Sequence, residues 1–182
     1  SMKISLLFPP TWHPSQPYLS LPSLTGFLAQ GGVTDVSQRD LGIELLDKVV
    51  TLSYGADLYQ ELVDKQRALE REHTGETGPG SAEHLARVVE SLDRFPYLID
   101  RIEPSKETLR GEGFYDLESY KESLFLIDKW LEVLSTLYFP TRLTVVDNQF
   151  GNYSIYSSKD LMKIIRDEAQ NPYIRLFREQ FV

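Results

Sequence analysis

Residues 3 to 32 read KISLLFPPTWHPSQPYLSLPSLTGFLAQGG. The mostly apolar run Ile4 to Phe8 predicts a buried strand of the kind found in parallel sheets. It runs into Pro9 and Pro10. Four prolines between residues 9 and 18 (Pro9, Pro10, Pro14 and Pro17) exclude helix there, because each removes a backbone donor and restricts the residue before it. From about Leu19 to Gln30 the apolar positions Leu21, Leu24, Phe27 and Leu28 fall at helical spacing. Pro22 suits the first turn of that helix and Gly31-Gly32 suits its end. Val33 to Leu41 alternates weakly and predicts a second strand. Strand, helix and strand in about 40 residues make a βαβ unit, whose crossover is right-handed.

After Gly42 the pattern turns helical. Residues 43 to 72 carry Ile43, Leu46, Val49, Val50, Tyr54, Leu58, Leu62 and Leu69 on one face, with Gly55 as an expected interruption or kink. TGETGPG, residues 74 to 80, reads as a linker. Ser81 is the expected cap of a further helix that Pro96 disturbs, and a turn and loop are expected over 103 to 115. Asp116 or Leu117 opens the longest amphipathic stretch, ended by Pro140. Arg142 to Val146 predicts a short strand, 148 to 156 a loop, and Ser157 or Ser158 with Asp160 the start of another helix. The chain divides into a strand–helix–strand start (1–42), a helical insertion (43–140), and a short strand or loop with C-terminal helices (141–182). Two or three strands are too few for a stable sheet. Either later strands finish the sheet or the helices fold over a very small one; the expected fold class is α/β and incomplete, with the chain a fragment whose sheet is finished by later strands.

Composition narrows the chemistry. The chain has 182 residues, 41% hydrophobic and 25% charged, with a net charge of -8. That balance counts against non-specific nucleic-acid binding, which needs clustered Lys and Arg. Cys is absent, so disulfides and thiolate-ligated metal sites are impossible within the chain. No apolar run approaches the ~20 residues that span a bilayer, and the start is not a signal peptide. The expectation is a cytoplasmic protein without membrane or nucleic-acid partners. Ser1 before Met2 reads as an expression scar.

Ligands of open α/β sheets bind beyond the carboxyl ends of the strands. The loop and helix start over residues 9 to 22 occupy that place. Thr11, Ser20 and Ser23 offer hydroxyls, and Trp12 and Tyr18 flat faces with a polar handle. The helix start offers unpaired backbone N–H groups. The same residues also fit a stiff turn whose aromatics cover the sheet. A dinucleotide fingerprint is missing: PPTWHP follows the first strand, not GxGxxG, and no GK[ST] follows. Asp40 stands where a ribose-binding acid would stand, but an end-of-strand Asp that starts a turn is the simpler reading. His13, His73 and His84 make no metal spacing. His13 lies in the ligand-side loop, where a surface role is the simpler reading. Glu70, Glu72, Glu76 and Glu83 read as a solvated face. No catalytic nucleophile with a base can be placed.

The stretch KISLLFPPTWHPSQPYLSLPSLTGFLAQGGVTDVSQRDLGIELLDKVV resembles the start of the N-terminal cobalamin-binding domain of cobalamin-dependent radical SAM enzymes. The shared pattern is a strand, Pro-Pro, a Pro-bearing loop, a Leu-rich helix, Gly, a second strand and an Asp. Here these are Ile4 to Phe8, Pro9-Pro10, Pro17 to Pro22, Leu24 to Ala29, Gly31-Gly32, Val33 to Arg39 and Asp40. The later text LSTLYFPTRLTVVDNQFGNYSIYSSKDLMKIIRDEAQNPYIRLFREQ is similar to the helical insert of members linked to peptide natural product maturation. The resemblance implies a Rossmann or flavodoxin-like cobalamin-binding fold feeding a downstream radical SAM domain, in a methyltransferase that modifies a peptide or a small molecule. It implies cobalamin contacts at Pro9, Pro10, Thr11, Trp12, Tyr18, Ser20, Leu21 and Pro22. The [4Fe-4S] cluster and S-adenosylmethionine of such an enzyme would lie outside this chain, which lacks the CxxxCxxC triad, and the fragment alone would be inactive. The chain also lacks DxHxxG, which argues against lower-face His ligation by that motif. Two other readings remain beside it. One is a helical protein-interaction or substrate-recognition module without cofactor. The other is a nucleotide or nucleotide-sugar enzyme domain, weakened by the missing Gly-rich loop.

Overall fold

A computed structural model of the chain describes residues 3–8, 19–73, 79–145, 148–151, 153–154 and 156–166. The order is β1 (Ile4–Phe8), α1 (Ser20–Gln30), β2 (Val36–Asp40), α2 (Leu41–Val49), α3 (Leu52–His73) and α4 (Pro79–Arg110). A 3-10 turn (Glu112–Tyr115) leads to α5 (Leu117–Leu137), β3 (Thr141–Leu143), β4 (Asn148–Phe150) and α6 (Ser158–Arg166).

The opening is the βαβ unit that its periodicity predicts. β1 and β2 pair in parallel from Ile4↔Val36 to Phe8↔Asp40, and α1 connects them. Its end follows from two glycines. Gly31 N–H donates to the Phe27 carbonyl, Gly32 N–H to Ala29 and Val33 N–H to Leu28. Gly32 has φ +81°, a left-handed conformation that costs glycine least. The second strand is shorter than the pattern suggests and begins at Val36. The result is a small α/β topology: a two-stranded parallel sheet with several helices.

The hydrophobic core lies in the helices instead. Leu58, Leu62 and Leu69 of α3, Val88, Phe95, Leu98 and Ile102 of α4, and Leu126, Ile127, Trp130 and Leu134 of α5 are buried together. Trp130 is 0% exposed and its indole N–H donates to the Val49 carbonyl at 2.7 Å. Gly55 is not the expected kink. The break falls earlier, at Val50-Thr51, where the Thr51 hydroxyl accepts from Tyr54 N–H. Gly55 sits within α3 because there is no room for a side chain. A Cβ there would come within 2.2 Å of Ile99 Cδ1 and 3.1 Å of the Trp130 ring.

Three further expectations are corrected along α4. The helix begins at Pro79, not with Ser81 as its cap, and it runs through Pro96 and Pro104 to Arg110, so 103 to 110 is helix and not loop. Each internal Pro costs about 3 kcal/mol. Burial of Phe95, Leu98 and Ile102 at about 1.5–3 kcal/mol each offsets that, and both prolines lie on the exposed side, where a carbonyl without its donor can turn to water. The expected loop over 148 to 156 contains a strand: β4 pairs antiparallel with β3, with Arg142 opposite Gln149. α6 starts as the sequence suggests, with Asp160 N–H donating to the Ser157 hydroxyl.

The helical core and the βαβ unit are joined through α2. Arg110 and Lys106 of α4 reach Asp47, and Lys106 also donates to the Asp47 carbonyl. Truncation of Trp130 to Ala opens a cavity and orphans the Val49 carbonyl. A stability loss of about 3–5 kcal/mol is expected in urea unfolding monitored by circular dichroism.

Candidate functional site

Parallel pairing brings the carboxyl ends of β1 and β2 side by side, with Phe8 opposite Asp40. α1 runs back between them, so its first residues stand at the same edge. α2 also starts there, directly after β2. Two helix N-termini and two strand ends therefore share one edge of the molecule.

The two helix starts differ. That of α2 is closed: the Asp40 carboxylate accepts from Gly42 N–H at 2.9 Å and Ile43 N–H at 3.1 Å. Asp40 is thus a helix cap in this structure, and Arg39 behind it is engaged by Glu44 in a two-point ion pair. The start of α1 has no side-chain cap, because Leu19 stands at the cap position. Pro22 has no N–H and Ser23 N–H donates to the Leu19 carbonyl, so the N–H groups of Ser20 and Leu21 are the ones left to whatever lies beyond the helix. One turn further in, Thr25 Oγ1 is buried and has no hydrogen-bond partner among the described residues.

Of the site residues expected from sequence, Ser20, Leu21 and Pro22 form the first turn of α1. Ser20 is half-buried, Leu21 buried and Pro22 exposed. Leu21 is the one buried residue of that helix, so its side chain packs inward. Pro9, Pro10, Thr11, Trp12 and Tyr18 lie outside the described residues, as does His13. The apolar surface nearby is thinly covered: Leu7 is 39% exposed, Leu24 48% and Phe27 72%.

His84 is structural. It is buried between α4 and α5, its Nε2 lies 2.7 Å from the Thr136 carbonyl, and its ring stacks on Phe139. Among the described residues no group of three or more His, Asp or Glu could hold a metal ion, and no helix is long and apolar enough to cross a membrane.

Sequence reasoning missed a second concavity. A cleft of about 540 Å³ lies between α4, α5 and the β3–β4 hairpin, lined among others by Arg87, Glu90, Arg94, Lys129, Glu132 and Arg142. The only signal in the sequence is the repeat Glu83/Arg87 and Glu90/Arg94, which reads as ordinary ion pairing along an exposed helix face.

Two expectations follow. Asp40→Ala should cost about 0.5–2 kcal/mol in urea melts, the worth of a helix cap. Burial lowers the pKa of His84 from its ordinary 6.5, opposed by the bond to Thr136. The unfolded chain then binds the proton more readily than the folded one, so this contribution to stability is complete above pH 6.5 and is lost as pH falls below it. Thermal melts across that range should show a steeper acid loss for the wild type than for His84→Gln.

No family model, curated protein or solved structure matches this chain.

Proposed function

We propose that this chain is the N-terminal cobalamin-binding part of a cytoplasmic radical SAM enzyme, a methyltransferase acting on a peptide or small molecule. The single observation that carries this reading is the juxtaposition of the carboxyl ends of β1 and β2 with the uncapped start of α1. The likeness of the opening residues to such domains gives that edge its proposed guest.

The residues present fit one wall of such a site. The first-turn N–H groups of α1 suit the amide carbonyls or the phosphate of a corrinoid. The buried hydroxyl of Thr25, without a partner among the described residues, is a polar group that a ligand could satisfy. The resemblance assigns the remaining contacts to Pro9, Pro10, Thr11, Trp12 and Tyr18, which lie outside the described residues; as residue types, two prolines and two aromatics suit a stiff, water-excluding wall. Ser20 and Pro22 lie in the first turn of α1, and Leu21 is its buried residue. Cobalamin, when bound, would supply a methyl carrier. The exposed Leu7, Leu24 and Phe27 suit further strands or helices of the same domain, and the iron–sulfur cluster and S-adenosylmethionine would belong to a domain downstream.

A second reading, a helical substrate-recognition or protein-interaction module without cofactor, is favoured by the core lying among α3, α4 and α5. Hydroxocobalamin separates the two. On the proposed reading the full-length protein should form a coloured complex that survives desalting, and Trp12→Ala and Tyr18→Ala should weaken it by about tenfold, the loss expected for an aromatic anchor. No complex, together with a reading frame that lacks CxxxCxxC beyond Val182, would leave the helical module as the reading.

A further inference from the structure

The cleft between α4, α5 and the β3–β4 hairpin has a charge balance opposite to that of the chain. The protein carries a net charge of -8, yet four of the cleft residues are cationic and two are anionic. The cations come from three elements: Arg87 and Arg94 from α4, Lys129 from α5 and Arg142 from β3.

Three of them converge on one carboxylate. Lys129 Nζ lies 2.8 and 2.9 Å from the two oxygens of Glu132. Arg142 Nη2 stands 3.6 Å and Arg94 Nη1 3.7 Å from the same group. Arg94 is also paired with Glu90 and Arg87 with Glu83, whereas Arg142 among the described residues meets Glu132 at a distance longer than a hydrogen bond. Counting Glu90 with Glu132, three cations face two carboxylates, which leaves one positive charge uncompensated, and like charges held close repel. An additional oxyanion between Arg94 and Arg142 would relieve that repulsion and meet guanidinium donors in the two-point geometry these groups favour.

The scaffold holds these groups in place. Ser91 and Thr136 hydroxyls hydrogen-bond at 2.8 Å across the cleft floor. Leu143 N–H donates to the Ser135 hydroxyl at 2.7 Å, which fastens the strand bearing Arg142 to α5. The Arg87 guanidinium lies over the Phe139 ring, 5.3 Å from its centroid.

We propose that this cleft is a binding site for a small oxyanion-bearing ligand, a carboxylate or a phosphate, with Arg94 and Arg142 as its main contacts and Glu132 as the carboxylate with which it competes for them. It is independent of the cobalamin reading, since it uses none of the same residues.

Titration of the full chain with inorganic phosphate and, separately, with succinate, followed by calorimetry and by NMR shifts, tests it. Saturable binding of at least one anion is expected, and the tighter of the two identifies the oxyanion class. R94Q/R142Q should weaken it by about tenfold or more, the worth of a charge-assisted hydrogen bond. Both side chains are about half exposed, so the fold should tolerate the change. E132Q removes the competing negative charge with little change of shape and should tighten binding. Absence of saturation with either anion, or affinity that is the same in wild type, R94Q/R142Q and E132Q, would overturn the proposal.

Discussion

The hydrogen bond from the Trp130 indole to the Val49 carbonyl is the contact on which the rest of the structure depends. It joins α5 to the last residue of α2, and α2 grows directly out of β2. A large apolar ring thereby fills the helical core while its polar edge satisfies a backbone group that α2 leaves unpaired at its end. Gly55 is the other half of the arrangement: α3 can pass close to the Trp130 ring and Ile99 because it has no side chain at that point. The helices thus pack as one body and the small sheet hangs from it through α2.

That dependence explains an imbalance in how the molecule is covered. The helical part has a continuous core, whereas the βαβ part buries Leu21 and leaves Leu24 and Phe27 largely in solvent. Two parallel strands cannot cover both of their own faces. They are held here by their own pairing, by the glycine-terminated α1, and by the ion pairs that bind Asp47 to Arg110 and Lys106. Burial alone would pull the Asp47 carboxyl up, but these two cations hold its pKa below the ordinary value, so the link is strongest where the acid is ionised.

The edge at the strand ends and the cleft among the helices differ in how well the sequence announces them. The first is written in consecutive residues: an apolar run, prolines, an amphipathic helix, glycines and an Asp. Local rules connect those residues to a strand, a helix and a second strand ending in a turn. The cleft is built from Arg87, Arg94, Lys129 and Arg142, which are far apart in the chain. Each one alone looks like a solvated charge on a helix or strand. Their convergence on Glu132 appears only after α4 and α5 have packed and the hairpin has folded against them.

The same division runs through the whole chain. The sequence alone accounts for the βαβ opening, the stop at Gly31-Gly32 and the start of α6, because each rests on backbone preferences within a few residues; it read Asp40 as the start of a turn, where the structure makes it the cap of α2. It could not show that α4 continues through Pro96 and Pro104, that Gly55 marks a close helix approach, or that Phe150 belongs to a strand. Those outcomes were decided by the tertiary structure. Burial of Phe95, Leu98 and Ile102 outweighs what two prolines cost, the Trp130 ring excludes a Cβ at Gly55, and β4 exists because β3, tied to α5 through Ser135, offers it an edge.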